Sequence, residues 1–383
     1  MPLLKAVFKE SSAGLRRGAI IDLTEATSAV ARIVSEVRKV SRSAMKTVYV
    51  NIGTPESKVQ RSHGVVAVSR ADNEIYEDDI ERVMKSSQAV NLGPNRMIIH
   101  TITREYVIDG VSDIAEPLGL SGNRLEVHSI VVDAFAPHVK SVIRVAELAG
   151  AKIGGMVFGP LIAAQSALAK SQRDLGVLLV DIGYGTTGMA VYDENKLVGV
   201  SMFPVGSGNV TNDIAVGLRI PVPVAEEIKT HYGYAMAKEI SPKEMIDLGK
   251  LVPGHRGTVS RRFVAEIIES RLAEILEFVN NELKLLGKSG QLAGGAVFVG
   301  GGAKIPGITE LAKQEVKLSS RVGVAITDLW APESVTAFPD VFEDPEFVNP
   351  LGLVLWGAQQ EGWQPKDRRG MQGIKNIFKY FLP

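Results

Sequence analysis

Cysteine is absent from this 383-residue chain, which excludes disulfides and thiolate metal sites. Charge of one sign is not in excess either. The 43 Lys and Arg balance the 43 Asp and Glu, so the formal net charge is zero. No global field is available to hold nucleic acid or a large acidic partner, and any contact with a polyanion or a membrane must be local. No apolar run reaches the ~18–20 residues that a transmembrane helix needs. The first residues, MPLLKAVFKESS, lack the apolar core of a secretory signal. A cytoplasmic protein meets these absences most simply. The six histidines (His63, His100, His128, His138, His231 and His255) are scattered, with no metal-ligand pair at helical spacing. What is present is 45% hydrophobic and 22% charged residues, enough for a sizeable core and too apolar for bulk disorder. At this length two or more domains, or one large bilobed unit, are expected.

Strand and helix patterns interleave along the chain, which predicts an α/β architecture. Residues 3–9, 47–52, 65–68, 97–107 and 125–132 read as strands. Residues 23–40, 77–87 and 138–149 read as helices, the first with Thr24 placed as its cap. A short strand at 156–158 leads to a helix at 161–169, with Pro160 where a helix start tolerates it. The apolar run 176–181 (GVLLVD) suits a strand buried on both faces. Two further strands (189–192, 197–204) complete a meander. Helices follow at 210–218, 224–232 and 262–285, then a strand at 296–299 and a helix at 308–317. Residues 338–350, rich in Pro and Asp, predict a loop, and 362–373 a linker.

Three motifs carry chemistry. Val180-Asp181-Ile182-Gly183-Tyr184-Gly185-Thr186-Thr187 follows the buried strand directly. Two glycines two apart let a hairpin bring backbone N–H groups close to an anion, and the Thr186 hydroxyl adds a donor. Asp181, at the strand end, is placed to hold magnesium through water. An ordinary tight hairpin has the same spacing. Gly300-Gly301-Gly302, again between strand and helix, strips side chains from an edge where a base or ribose can lie, or simply makes a turn. Glu226 and Lys229 share a helix face at i, i+3 and are either a solvated ion pair or a carboxylate and ammonium offered to a nucleoside. No G-K-[ST] loop is present. Outside the last eleven residues nothing combines aromatic and basic residues in the stripe that nucleic-acid binding needs.

The order of these motifs resembles the second half of the actin/Hsp70/sugar-kinase nucleotide fold. Greater specificity comes from SAGLRRGAIIDL (12–23) and from EYVIDG (105–110) followed by PLGLSGNRL (117–125), with supporting matches at 45–69 and 205–215. In these the chain resembles the bacterial actin-like cell-division family FtsA, from about Ser12 to the C-terminus. The resemblance implies an actin-like bilobed α/β fold of two ribonuclease-H-like lobes with a small inserted SHS2-type domain. The first lobe would comprise 1–53 and 127–178, and the insert 54–126. The second-lobe core would be 179–214 and 292–361, with a subdomain at 215–291. It also implies ATP and magnesium between the lobes. Asp181, Gly183, Gly185, Thr186 and Gly208 would lie near phosphate and metal. Glu226, Lys229, Gly300, Gly301 and Gly302 would lie near the nucleoside. Implied partners are further copies in a filament, other divisome proteins, and the C-terminal peptide of the tubulin-like FtsZ. For that peptide Arg271 and Glu274, on the long helix, are the candidates; a surface ion pair would use the same two residues. PilM, a related actin-like adaptor of pilus assembly, and an active filament-forming ATPase are alternative readings.

The chain departs from the family in two places. The family's first strand and D-x-G-[ST] hairpin, its first phosphate loop, are not found ahead of residue 3. At the helix before the second loop, Gly159-Pro160 stands where related ATPases carry an acidic residue before proline, and Gln165 is out of register, so weak or absent hydrolysis is expected. The tail, GIKNIFKYFLP, places Ile374, Ile377, Phe378, Phe381 and Leu382 on one helical face, with Lys375 and Lys379 opposite and Arg368 and Arg369 upstream. That pattern predicts a basic amphipathic helix (374–383) lying in a membrane interface. A helix packed on the body of the protein would show the same pattern. Five large side chains give at most about 8–15 kcal/mol if fully buried, against roughly 1–2 kcal/mol per residue ordered. One tail should therefore bind weakly, and a filament of tails tightly.

Overall fold

The protein is described by a computed structural model over residues 1–251 and 257–363. His255, the linker beyond Trp363 and the tail helix lie outside the described residues. In chain order, a small hairpin of β1 (Leu15–Arg16) and β2 (Ala19–Ile20) precedes α1 (Leu23–Val40) and β3 (Val48–Ile52). Next come β4 (Lys58–Ala67), α2 (Glu77–Ser87), β5 (Arg96–Ile108), β6 (Val111–Ile114) and β7 (Arg124–Phe135). The chain continues through α3 (Ala136–Leu148), β8 (Ile153–Phe158), α4 (Gly159–Ala167) and α5 (Lys170–Asp174). The meander β9 (Val177–Ile182), β10 (Thr187–Asp193) and β11 (Lys196–Phe203) leads into α6 (Ser207–Leu218) and α7 (Val222–Tyr232). After β12 (Met245–Asp247), β13 (Thr258–Ser260) and the long α8 (Arg261–Leu285) come β14 (Ala296–Val299), α9 (Ile308–Val316) and β15 (Ser320–Val322). Helices α10 (Pro332–Ala337), α11 (Pro339–Glu343) and α12 (Val348–Gln360) close the described chain.

The largest sheet runs β11-β10-β9-β14-β15, with β9, β14 and β15 parallel and the meander antiparallel. Its central strands are apolar throughout because they serve two cores. Leu178, Val180, Ile182, Ala296 and Phe298 pack with α6, α7, α8 and α9. The alternate residues Val177, Leu179, Val297 and Val299 pack with α4, β8 and the lower halves of β5 and β7. A two-residue period with both faces filled is what a buried parallel strand requires. Each fully buried Val, Leu or Ile contributes about 1.5–3 kcal/mol.

The four-stranded sheet β4-β7-β5-β6 carries α2 on one face. Leu125 and Val127 of β7 face α2, while Ile130, Val132 and Ala134 enter the core shared with β3, β8 and α4. Register shifts in β5 at Ile98/His100 and Thr103/Glu105 adjust its alternation to the same division. His100 becomes fully buried here, its Nε2 accepting from Phe158 N–H at 3.0 Å and its ring meeting Trp356 edge-on. His63 and His128 stack on the sheet's other face. No cluster of metal-ligating side chains occurs among the described residues. None of their helices is long and apolar enough to cross a membrane.

Three sequence expectations change. Residues 3–9 form no strand, because no ladder partner lies alongside. The segment instead packs Leu4 beside Trp330 and Phe342, with Leu4 N–H donating to Ser334 Oγ at 2.8 Å. Asp22, not Thr24, caps α1, its carboxylate accepting from Glu25 N–H at 2.9 Å. Residues 338–350 are largely helical. Pro339 and Pro345 occupy helical first turns, where a missing N–H costs nothing, and Phe342 anchors the segment in a core with Trp330 and Leu355.

Candidate functional site

The carboxyl ends of β9 and β14 lie side by side, Val299 opposite Asp181. This is where open parallel sheets bind ligands, and all ten of the sequence-predicted cofactor residues gather around it. The hairpin β9–β10 closes tightly, with Gly183 N–H donating to Thr186 O at 2.9 Å. Helix α6 starts directly on this turn: Ser207 N–H donates to Gly183 O at 2.8 Å and Gly208 N–H to Tyr184 O at 2.7 Å. A Cβ at Gly208 would lie 2.7 Å from the Tyr184 ring, so glycine is what lets that ring settle on the helix start. A Cβ at Gly185 would lie 3.2 Å from Arg17 Cα, which places the β1–β2 hairpin against the loop.

The glycine triplet divides by role. Gly300 takes a left-handed φ of 84°, and a Cβ there would sit 2.4 Å from Asp181 Oδ1. A Cβ on Gly302 would lie 2.3 Å from Ile182 Cγ2. Packing against the end of β9 therefore accounts for both. Gly301 is exposed, with nothing within 4 Å of its Cβ position, so it alone opens onto free space.

Lys229, only 6% exposed, spends its three donors on Ser207 O (3.3 Å), Thr211 Oγ1 (3.0 Å) and Glu226 Oε2 (2.8 Å). Thr211 Oγ1 also donates to Glu226 Oε2 at 2.5 Å. The ammonium lies 5.7 Å from the Tyr184 ring centroid, a cation–π distance. Lys229 is thus committed to fastening α7 on α6, while Glu226 keeps Oε1 outside this network. Burial pushes the Asp181 carboxyl pKa up, and a hydrogen bond from Asn349 Nδ2 (2.6 Å) pulls it back. Thr211, Tyr184 and Asn349 were missed from the sequence. The first two stand near recognised motifs, but Asn349 carried no signal, since its segment read as loop.

The start of α4 holds no side chain for orienting water. Pro160 abuts Gly188, and Gln165 is buried with Nε2 donating to Gln359 Oε1 at 2.8 Å. Arg271 forks onto Asp213 of α6 at 2.5 and 3.0 Å and also contacts Glu274. Arg271→Ala should therefore destabilise the fold by about 1–2 kcal/mol, while Glu274→Ala, at an exposed end, stays within about 0.5 kcal/mol. Urea unfolding of the two variants checks this, and it separates a packing role from any partner contact of Glu274.

A mixed sheet with a hairpin and a glycine turn at its carboxyl end, beside a unit bearing an inserted sheet, defines an actin-like protein. The fold agrees with the PilM–PilN type IV pilus biogenesis complex (TM-score 0.62, 16% identity, 90% of this chain and 88% of that one). It also agrees with MreB5 of Spiroplasma citri bound to ADP (TM-score 0.54, 15% identity, 91% and 79%). At these identities the likeness is one of fold alone. Residues 178–352 match the family model "Cell division protein FtsA", and 55–133 match "SHS2 domain inserted in FTSA". The cell division protein FtsA of Pseudomonas aeruginosa is 32% identical over 350 residues, 91% of this chain and 82% of its own length. That of Bacillus subtilis is 31% identical over 348 residues, 91% and 76%. The chain belongs to the FtsA family of cell division proteins. A nucleotide with its divalent cation fits the residues present: no protein atom lies within 4 Å of the Cβ position of Gly301, and the desolvated Asp181 carboxylate lies beside the phosphate-type hairpin.

Proposed function

We propose that this protein is an ATP-binding, filament-forming adaptor that attaches the FtsZ ring to the cytoplasmic face of the membrane at the division site. One observation carries the nucleotide part. Ten residues from four separate stretches of sequence meet at the carboxyl ends of two parallel strands, and Gly301, the one glycine among them whose Cβ position meets no atom within 4 Å, faces open space. Asp181 would hold magnesium through its water shell. Thr186 and the hairpin would face phosphate, and Glu226, steadied by Lys229, would face the ribose. With Gln165 bonded to Gln359 and no carboxylate at the start of α4, ATP acts as a ligand that sets the state of the polymer rather than as a rapidly consumed substrate. Family membership supports the division role, with the FtsZ C-terminal peptide and other divisome proteins as partners. The membrane role rests on the tail pattern, Ile374, Ile377, Phe378, Phe381 and Leu382 against Lys375 and Lys379.

Co-sedimentation with anionic vesicles tests the reading. The full chain should pellet with vesicles roughly a hundredfold more strongly with ATP than without, the gain expected from linked tails, and a variant ending at Gly370 should lose binding in both conditions. Equal pelleting by both chains would reject the tail as anchor. Equal pelleting with and without ATP would reject nucleotide-coupled assembly.

A further inference from the structure

Asn349 stands in the first turn of α12, yet its side chain reaches the end of β9. Nδ2 donates to Asp181 Oδ2 at 2.6 Å. That bond assigns the amide: nitrogen faces the carboxylate, so the oxygen is the free end. Oδ1 is buried and has no hydrogen-bond partner among the described residues. A buried amide oxygen without a donor is unfavourable and calls for one.

The surroundings specify that donor. Asp181 Oδ1 lies against Gly300, whose lack of a side chain is what lets the carboxylate sit there. Gly300 N–H donates to Pro345 O at 3.0 Å, and Lys304 pairs with Asp344 at 2.6 Å. These bonds fix the segment leading to Asn349 onto the glycine turn. The result is a carboxylate with an amide oxygen beside it, an arrangement of acceptors. The waters of a hydrated divalent cation present only donors outward, and magnesium bound with phosphates keeps several of them.

We infer that Asn349 is a positioning residue of the nucleotide site: it holds the Asp181 carboxylate and offers Oδ1 to a water on the divalent cation that accompanies a nucleoside polyphosphate. This rests on the nucleotide reading above. It also gives α12 a second role. Further along the helix Gly352 packs on Ile162, Gly357 on Tyr49, and Gln359 bonds Gln165. The helix that touches the metal carboxylate at one end is therefore locked to α4 and β3 along its length.

The experiment titrates magnesium against binding of a fluorescent ATP analogue, using the full chain and its Asn349→Ala and Asn349→Asp variants, with parallel series in EDTA. Wild type should bind more tightly with magnesium. Asn349→Ala should raise the magnesium midpoint roughly tenfold, the usual effect of losing a residue that orients a metal ligand, with a much smaller loss of affinity in EDTA. The lost hydrogen bond to the Asp181 carboxylate lowers the melting temperature without ligand, and binding is compared well below both transitions. Asn349→Asp keeps an acceptor but sets two carboxylates together, so it should bind poorly in EDTA and recover at high magnesium. This variant decides the matter should the alanine form fail to fold. An unchanged magnesium midpoint in both variants would overturn the inference, as would an equal loss with and without magnesium. No binding by wild type under any condition would instead reject the nucleotide reading itself.

Discussion

Gly301→Val is expected to leave the fold intact while lowering ATP affinity by about tenfold or more, which corresponds to about 1.4 kcal/mol or more. Gly302→Val, one position on, should instead destabilise the protein by roughly 2–4 kcal/mol. The two glycines look equivalent in sequence. Their surroundings differ: a Cβ at 302 would lie 2.3 Å from Ile182 Cγ2 and 3.0 Å from Ile182 O, whereas one at 301 meets nothing within 4 Å. Ile182 is fully buried at the end of β9, so a branched side chain at 302 must displace the sheet or itself. At 301 it would project only into the space assigned to the nucleoside. Chemical denaturation and nucleotide binding measured on both variants separate the two effects. Normal ATP affinity in Gly301→Val would place the nucleoside elsewhere.

Stability should fall by about 3 kcal/mol as pH drops from 6.5 to 4, through His100 alone. Burial pushes this imidazole's pKa from 6.5 down to about 4. The native state thus holds the ring neutral where the unfolded chain already binds a proton. The contribution is fully present above 6.5 and is lost progressively as pH falls toward the folded-state value. The ring cannot charge in place without loss, because its Nε2 accepts from Phe158 N–H and it is buried in a T-shaped contact with Trp356. His100→Gln keeps an acceptor and does not titrate. Its stability measured by urea unfolding should therefore decline less steeply across that window. Parallel pH profiles for wild type and variant would assign the decline to other groups.

Much of the site was legible because its parts are local. A strand ending in D-x-G-x-G-T must turn at its glycines, and Glu226 and Lys229 must share a face because a helix repeats every 3.6 residues. Whether Lys229 meets a ligand or fastens a helix was not legible, since Ser207 and Thr211 reach it only through the packing of α6 on α7. Asn349 lies 168 residues from the aspartate it holds. Its segment read as loop because Pro and Asp dominate local propensity, while the burial of Phe342 beside Trp330, a tertiary event, made it helical.

The sequence by itself determined the alternation of strands and helices, the zero net charge, the absence of thiol chemistry, and the motifs that mark an FtsA-family chain, because each is a property of neighbours or of composition. Only the tertiary structure decided which glycines are steric necessities, which charged groups are already satisfied, and which distant side chain completes the aspartate at the site. Those outcomes depend on which surfaces meet when β9 is buried between two cores, and chain spacing does not encode that distance.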